Sequence, residues 1–559
     1  MKKILKSFAN PYKRNVFIGL VIIIFVAAVI RLYRLGDVPH GMTWDEAAIG
    51  YNGFAILHTR RDEWLAKLPV SFKSFGDYKS PLAIYLNGPF IFLFGMNLWA
   101  VRLPFALAGI FSVVGMYFLG YRLGKEAFDD FNASAVGLVS AFFIAFSPWH
   151  INFSRTGFES GLALFFVIWG TAFLFTFLQS QVSARNKDQW LHLAYLAFSV
   201  LFYVASFYTY HSAKIVVPLL LITIGVLYWS KIKKHSKPVL GAALMGLVLL
   251  IPLLKDTFLG SGGARFSQAT LFGMHFSLPT LLMTLLEHFT IHFSPAYLIF
   301  GQTVTLRHGD GHWGILFFTD FILVILEIIF LLSQLLIAVR KAKQSENTVG
   351  GWKEMLFAFC WMIVGTVPAV IGSDVPHSNR ALLALPGFVL MAFYGLNSLV
   401  HYLHGTKLEK QLSGSKGEKS LLVKSVAGCF LLFHLLFFLS YVHSYYTVYA
   451  KESANDFQDG FIQAFQFAVK NESTSDQIII SNSYGQAYIF ALFVRQTNPI
   501  WYQGGSMVKY VYLPKISEGD LSRKNTVIIA TPEQIAPKYG DQLVYGSDGQ
   551  IKFVLVKTK

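Results

Sequence analysis

Two adjacent carboxylates follow a tryptophan in GMTWDEAAIG, Gly41–Gly50, shortly after the first long apolar run of the chain. Asp45 and Glu46 open a helix-like stretch, AAIGYNGFAILH. A carboxylate there is favoured by the helix dipole, so Glu46 reads equally well as a cap. Capping alone does not explain two acids at a membrane boundary beside Trp44, with Asp77, Tyr78 and Lys79 in the same loop. A carboxylate in a dry, protein-lined boundary gains proton affinity through desolvation and can take a proton from an attacking group. Asp45, with Glu46 beside it, is therefore the candidate catalytic acid. Lys79 stands ahead of Pro81 and an apolar helix, where it can hold a phosphate at headgroup depth; the alternative is a snorkelling lysine.

Further candidates follow along the chain. Glu159 in SRTGFES begins a span one turn after Arg155, and either supports the site or forms an i, i+4 pair with that arginine. TLRHGDGHWG supplies Arg307 as a phosphate ligand and His308 as a supporting group. His308 and His312 have the spacing of a helical metal pair, but the glycines around them argue against a helix. A divalent metal there stays open, and no other cofactor is implied. In SDVPHSNRALLALP, Arg380 stands at the entrance of a span, where its forked donors suit a phosphate. The alternative is a salt bridge to Asp374; His377 is a supporting residue in the same segment. Trp44, Trp149 and Tyr208 could stack on a sugar or belong to an interfacial aromatic belt.

The elements that must position these groups are set by composition. Of 559 residues, 54% are hydrophobic and only 14% charged, with a mean hydropathy of +0.49, which defines a polytopic α-helical membrane protein. The formal charge of +16 sits in short segments between apolar runs, a topology signal and not a nucleic-acid footprint. Cys360 and Cys429 lie in apolar runs, so neither a disulfide framework nor a thiolate metal cluster is expected. The basic opening followed by NVFIGLVIIIFVAAVI reads as an uncleaved first span.

A crossing needs about 20 apolar residues. Spans are predicted near 16–35, 103–120, 133–147, 161–178, 191–208, 215–229, 239–254, 315–339, 355–371, 382–399 and 421–441, about 11 transmembrane helices in all. The lysine- and arginine-rich connections fall on one side if the N-terminus is cytoplasmic, which makes PLAIYLNGPFIFLFG, Pro81–Gly95, a juxtamembrane helix at the outer face. Residues 1–442 then form the transmembrane domain, with extracytoplasmic loops at 36–102 and 255–313. Residues 443–559 form a small extracytoplasmic α/β domain, with strands in DQIIIS, NTVIIAT and IKFVLVK.

The ordered set WDEA, DYKSPLAIYL, FGMNLWAVRLP, SPWHINFSRTGFES, FSPAYLIFGQTVTLRH, PHSNRALLALP and SNSYGQAYIFALF resembles the polyprenyl-phosphate-sugar-dependent glycosyltransferases. This group includes the protein O-mannosyltransferases and the aminoarabinose transferases. The resemblance implies a GT-C type membrane fold, a catalytic acid in the first outer loop and a lipid-phosphate sugar donor. It matches Asp45 to that acid, Lys79 to a lysine on the donor phosphate, Glu159 to an acid after the third span, Arg380 to an anionic-headgroup ligand and His308 to a metal-contacting histidine. The related motif is acid-Lys-Pro; here Tyr78 and Ser80 intervene.

The implied partners are a polyprenyl-phosphate-linked sugar, the bilayer of the cell membrane and a protein, lipid or glycopolymer acceptor. A multi-span transporter or flippase is the rival class, disfavoured by the lack of ionisable groups read at mid-span and of repeated halves. A non-catalytic envelope-polymer export or scaffold protein is the second rival.

Overall fold

The computed structural model describes residues 11–128, 130–180, 186–260, 262–263, 268–341, 351–404, 421–502, 504 and 507–559. Every segment read as a span contains a helix. Among the described residues nine are long and apolar enough to cross a bilayer, and a tenth crossing is the pair Asn132–Phe146 and Pro148–Ser154, bent by 63°. The remaining segment read as a span holds the apolar helix Ala213–Leu227, 15 residues long and followed by the short helix Trp229–Lys234. The last long helix, Leu421–Glu452, runs unbroken past position 442.

Burial sorts these helices. Leu98–Ala127 and Glu159–Gln179 are mostly enclosed, whereas Pro11–Leu32 and Ser236–Leu259 turn exposed apolar side chains such as Phe25, Ile22, Leu247 and Val248 outward. Such faces are solvated by hydrocarbon. Close crossings rest on small residues: a Cβ added to Gly365 would lie 2.3 Å from Ala384 Cα, and one added to Gly387 would lie 2.3 Å from Met362 N.

One sequence reading is corrected inside the bundle. Glu327 is buried midway along the helix Phe318–Lys341, where Ser398 Oγ donates to it at 2.8 Å. An ionisable group at mid-span is therefore present, and its hydroxyl partner on a neighbouring helix is what accommodates it.

The segment after the first span folds into the helix Trp44–Thr59, a short hairpin of β1 (Phe72–Ser74) and β2 (Asp77–Lys79), and the helix Leu82–Phe94. The hairpin turns at Phe75 and Gly76, both at positive φ as a two-residue turn of this hand requires. Gly53 and Gly88 bring the two helices together, a Cβ on Gly53 lying 3.1 Å from Gly88 N.

After Glu452 the chain forms a sheet of β3 (Gln477–Ser481), β4 (Tyr510–Leu513), β5 (Thr526–Ala530), β6 (Gln542–Tyr545) and β7 (Ile551–Lys557), in the order β4-β3-β5-β7-β6. β3 is parallel to β4 and β5, and β7 antiparallel to β5 and β6. Alternation decides its faces. Ile478, Ile480, Val527 and Ile529 join a core with the helices Phe461–Asn471, Ala487–Arg495 and Trp44–Thr59, while Ile479, Ile528 and Val554 fill the other side. The first segment and the C-terminal unit thus share one core. Gly41, at φ +85°, packs against Phe457 and Asp459 where a Cβ would fall 2.3 Å from the Phe457 carbonyl oxygen.

Candidate active site

The start of the helix Trp44–Thr59 separates its two acids. Thr43 Oγ1 accepts the Glu46 amide at 3.1 Å, and Glu46 Oε2 accepts the Thr43 amide at 3.0 Å, a reciprocal capping box. Glu46 also takes Arg102 Nε at 2.7 Å, Arg102 Nη2 at 3.2 Å and the Gly157 amide at 3.0 Å. Arg102 spends its other donors on the carbonyls of Leu35, Pro39 and Gly41. Both side chains are essentially inaccessible. Glu46, read as part of the catalytic pair, therefore has the geometry of its alternative reading: a cap whose oxygens are consumed within the scaffold.

Asp45, one residue earlier, points the other way. Its Oδ1 accepts from the Lys79 ammonium, which β2 delivers from the hairpin and which lies 5.7 Å from the Phe75 ring. Asp45 keeps 24% side-chain exposure and Lys79 only 8%, so the carboxylate is the partner reachable from outside. Asp77 accepts the Tyr78 amide at 2.7 Å on Oδ1, and the Tyr78 carbonyl accepts His211 Nε2 at 3.2 Å. Lys214 Nζ reaches His211 Nδ1 at 3.3 Å. His211 and Lys214 were not singled out from the sequence, although HSAK ahead of an apolar helix carries the same signal used for Lys79.

Beside this hairpin opens a largely apolar cavity of about 460 Å³, lined among others by Tyr210, His211, Lys214, Phe258, Pro368 and Arg380. Arg380 Nη1 donates to the Ala269 carbonyl at 3.1 Å, and Nη2 lies 3.7 Å from the mostly exposed Asp374. The salt-bridge alternative is present but long and solvated, which makes it weak.

A row of imidazoles joins Arg380 to the loop that carries Arg307. His308 and His377 lie with ring centroids 4.4 Å apart. His377 Nδ1 accepts the Arg380 amide at 3.3 Å, and its own amide donates to His292 Nε2 at 3.1 Å. Burial, with the cations Arg307 and Arg380, pushes His308 down to about 3 against the opposing pull of Asp45. Burial, with His308, Arg380 and His292 beside it, holds His377 well below its ordinary range, and burial, with His288 and Arg380, lowers His292 to about 4. The row is neutral at physiological pH. Arg307 itself sits over the Trp44 indole, 5.3 Å from the ring centroid.

Several expected arrangements do not form. His312 turns away to Glu452 Oε2 at 2.7 Å, so it makes no pair with His308, and no metal-holding group of three acids, histidines or cysteines exists among the described residues. Arg155 does not pair with Glu159. Its guanidinium goes to the Ile30 and Val38 carbonyls and the Tyr446 ring, leaving Glu159 half-buried at the start of its helix. Trp149 is buried and donates to the Ser378 carbonyl at 3.1 Å, and Tyr208 donates to the Leu249 carbonyl at 2.9 Å, so each ring is anchored to the scaffold by its polar edge.

Another acid, Glu63, was missed. It is wholly buried in the first segment, and burial pushes it up to about 8 against the opposing pull of the neighbouring Asn52 and Trp64 side chains and of Lys79.

The chain superposes on ArnT of Cupriavidus metallidurans with a TM-score of 0.51 at 13% identity, covering 96% of this chain and 97% of that one. The fold is of the GT-C type. Residues 78–255 match the family model described as dolichyl-phosphate-mannose-protein mannosyltransferase. Two Bacillus subtilis proteins provisionally named mannosyltransferases are similar as well. YycA is 23% identical over 296 residues, 52% of this chain and 38% of its own length; YkcB is 26% identical over 192 residues, 34% and 24%. The chain thus matches well under half of either relative. The family match contains Lys79, Glu159, His211 and Lys214, whereas Asp45, Arg307 and Arg380 lie outside it.

Proposed function

We propose that the chain is a membrane glycosyltransferase that moves a sugar from a polyprenyl-phosphate donor to an acceptor on the extracytoplasmic side of the cell membrane. The observation that carries this reading is the Asp45–Lys79 contact, made beside an apolar cavity rimmed by Lys214 and Arg380. An isoprenoid tail suits the cavity, and a phosphate at its rim suits the cations. Kinship with the matched family and the basic pattern of the inter-span connections support the donor class and the orientation.

In the free chain Lys79 neutralises Asp45. A donor phosphate draws the ammonium to itself, and Asp45 is released as a base. The acceptor hydroxyl then attacks the anomeric carbon opposite the phosphate. The new C–O bond forms as the bond to the phosphate oxygen breaks, the electron pair leaves with the polyprenyl phosphate, and Asp45 takes the hydroxyl proton. Configuration inverts. Lys79 and Arg380, with Arg307 from the neighbouring loop, stabilise the charge that grows on the departing phosphate, the kind of preorganised electrostatics that usually contributes most to catalysis.

The test is reconstitution of the full chain in liposomes with a labelled polyprenyl-phosphate hexose and a cell-envelope extract as acceptor. Label moving into the acceptor, and lost in Asp45→Asn, supports transfer. Label crossing the bilayer unchanged would favour the flippase, and no interaction with the donor would leave the scaffold role.

A further inference from the structure

Beyond the donor cavity, a second cavity of about 170 Å³ lies between the first segment, the loop carrying Arg307 and the C-terminal unit. We propose that this cavity is a saccharide-binding site that takes a single neutral sugar ring. This rests on the glycosyltransferase reading only for which sugar occupies it.

Three features of its walls carry the inference. The first is an aromatic side: Trp44 under the Arg307 guanidinium, and Tyr484, 41% exposed, whose ring meets Phe461 and Phe553 at 5.8 Å each. Flat apolar faces cover the C–H side of a pyranose while leaving its rim of hydroxyls open to hydrogen bonds.

The second is a set of planar polar groups around that side. Asp456 holds the Thr305 hydroxyl on Oδ1, and Asp459 holds the Ser547 amide on Oδ2 at 2.7 Å; each carboxylate has further acceptor capacity for hydroxyls. Lys552 pairs with Asn455 and Asp548. Among the cavity's charged groups, Arg307 and Lys552 are balanced by Asp456 and Asp459, which favours a neutral polyhydroxylic ligand over a phosphate.

The third feature is an unpaired donor held in place by strained backbone. Gln458 stands at φ +53°, a conformation that side-chain-bearing residues rarely adopt. Its Oε1 accepts the Trp44 amide at 2.7 Å, which locks the amide plane, while Nε2 is buried with no protein partner. Gly41, pressed against Phe457 and Asp459, fixes the same turn from the other side. A buried donor without a protein partner, on a residue that lines a polar cavity, calls for an explanation such as a ligand. At about 170 Å³ the cavity has room for one ring and not for an extended peptide.

The same ring could belong to the donor or to the acceptor, and the experiment separates them. The full chain in nanodiscs, without donor, is titrated with methyl mannoside, methyl glucoside and a neutral serine-threonine peptide, read by saturation-transfer NMR. Binding is then measured for a polyprenyl-phosphate hexose and for bare polyprenyl phosphate. Tyr484→Ala should weaken glycoside binding at least tenfold and Asp456→Asn, which keeps the shape of the side chain, at least threefold, with bare polyprenyl phosphate unaffected by either. A matching loss for the hexose-linked lipid assigns the ring to the donor; a loss confined to free glycosides assigns it to the acceptor. Either result supports the site. Peptide binding without glycoside binding, or glycoside binding indifferent to both variants, would overturn it. If neither lipid binds, the glycosyltransferase reading falls while the glycoside titration still decides the cavity.

Discussion

Neighbouring residues Asp45 and Glu46 each meet a cation, yet the two pairs differ in every physical respect. Glu46 and Arg102 are sealed, with at most 2% of either side chain accessible and neighbouring backbone groups filling the remaining valences. Asp45 keeps a quarter of its surface, and its partner Lys79 sits on a two-stranded hairpin closed by a turn of two positive-φ residues. The helix start makes the division, because the capping position turns Glu46 back into the scaffold while the preceding residue faces the opposite side. A sealed ion pair stabilises a fold only while both partners stay; an accessible pair can exchange one partner for a ligand. The contrast gives Glu46 a place in the scaffold and leaves Asp45 as the proposed base.

Removing the carboxylate of each pair should break the contrast in opposite ways. The largest effect expected is on turnover: Asp45→Asn should lower transfer by about 10²–10⁴, the range of a lost general base, with thermal stability in detergent unchanged. Comparable loss of stability in that variant would return Asp45 to the scaffold. Glu46→Ala should do the reverse, leaving Arg102 buried without its counter-charge at a cost of about 3–5 kcal/mol, read as a lowered melting temperature. A well-folded Glu46→Ala chain with no turnover would restore Glu46 to the chemistry.

Glu63 sharpens the comparison by showing an acid of the same segment with no cation bonded to it. Its folded value of about 8 lies above the ordinary glutamate value of 4.5. Between the two, the unfolded chain has released a proton that the folded chain retains, so stability falls as pH rises from 4.5 to 8 and then levels off. Glu63→Gln should therefore match the wild type near pH 4 and exceed it at pH 8 by about 2–4 kcal/mol, in denaturation monitored at both pH values. Equal stabilities at pH 8 would mean that Glu63 is ionised in the folded protein.

Much of this was legible in the chain, and the failures share a cause. Apolar runs long enough to span a bilayer announce themselves, as do the strands DQIIIS, NTVIIAT and IKFVLVK, because both signals are local. TWDE was legible as a capping box, since Thr and Glu at that spacing satisfy each other's backbone. Arg102 as the buried counter-charge was not, because it is 56 residues away and nothing in WAVRLP states a partner. Likewise the Arg155–Glu159 spacing suggested a helical pair, but Gly157 and Phe158 break the chain between two helices, and the guanidinium goes to the carbonyls of Ile30 in the first span and of Val38 after it. Strands β4 and β6 were missed because YVYL and QLVY are short edge strands, specified by pairing with β3 and β7 more than by composition. His211, Lys214 and Gln458 became visible only through long-range contacts.

The smallest expected effect concerns His308, which feels the charge of Asp45 from a buried position. Held at about 3 by burial and by Arg307 and Arg380, it stays neutral across physiological pH. It therefore contributes no inflection to the rate profile between pH 6.5 and 8, and any inflection there comes from another group. Its linkage to folding runs opposite to that of Glu63. The unfolded histidine takes a proton as pH falls below about 6.5 while the folded one does not, so stability is intact above that value and declines below it. His308→Asn should lose less stability than the wild type on acidification from pH 7 to pH 5, by about 1 kcal/mol, with the rate profile above pH 6.5 keeping its shape. A rate inflection near pH 6.5 that disappears in His308→Asn would make this imidazole a proton carrier, and the division between the proposed base Asp45 and a neutral histidine row would no longer hold.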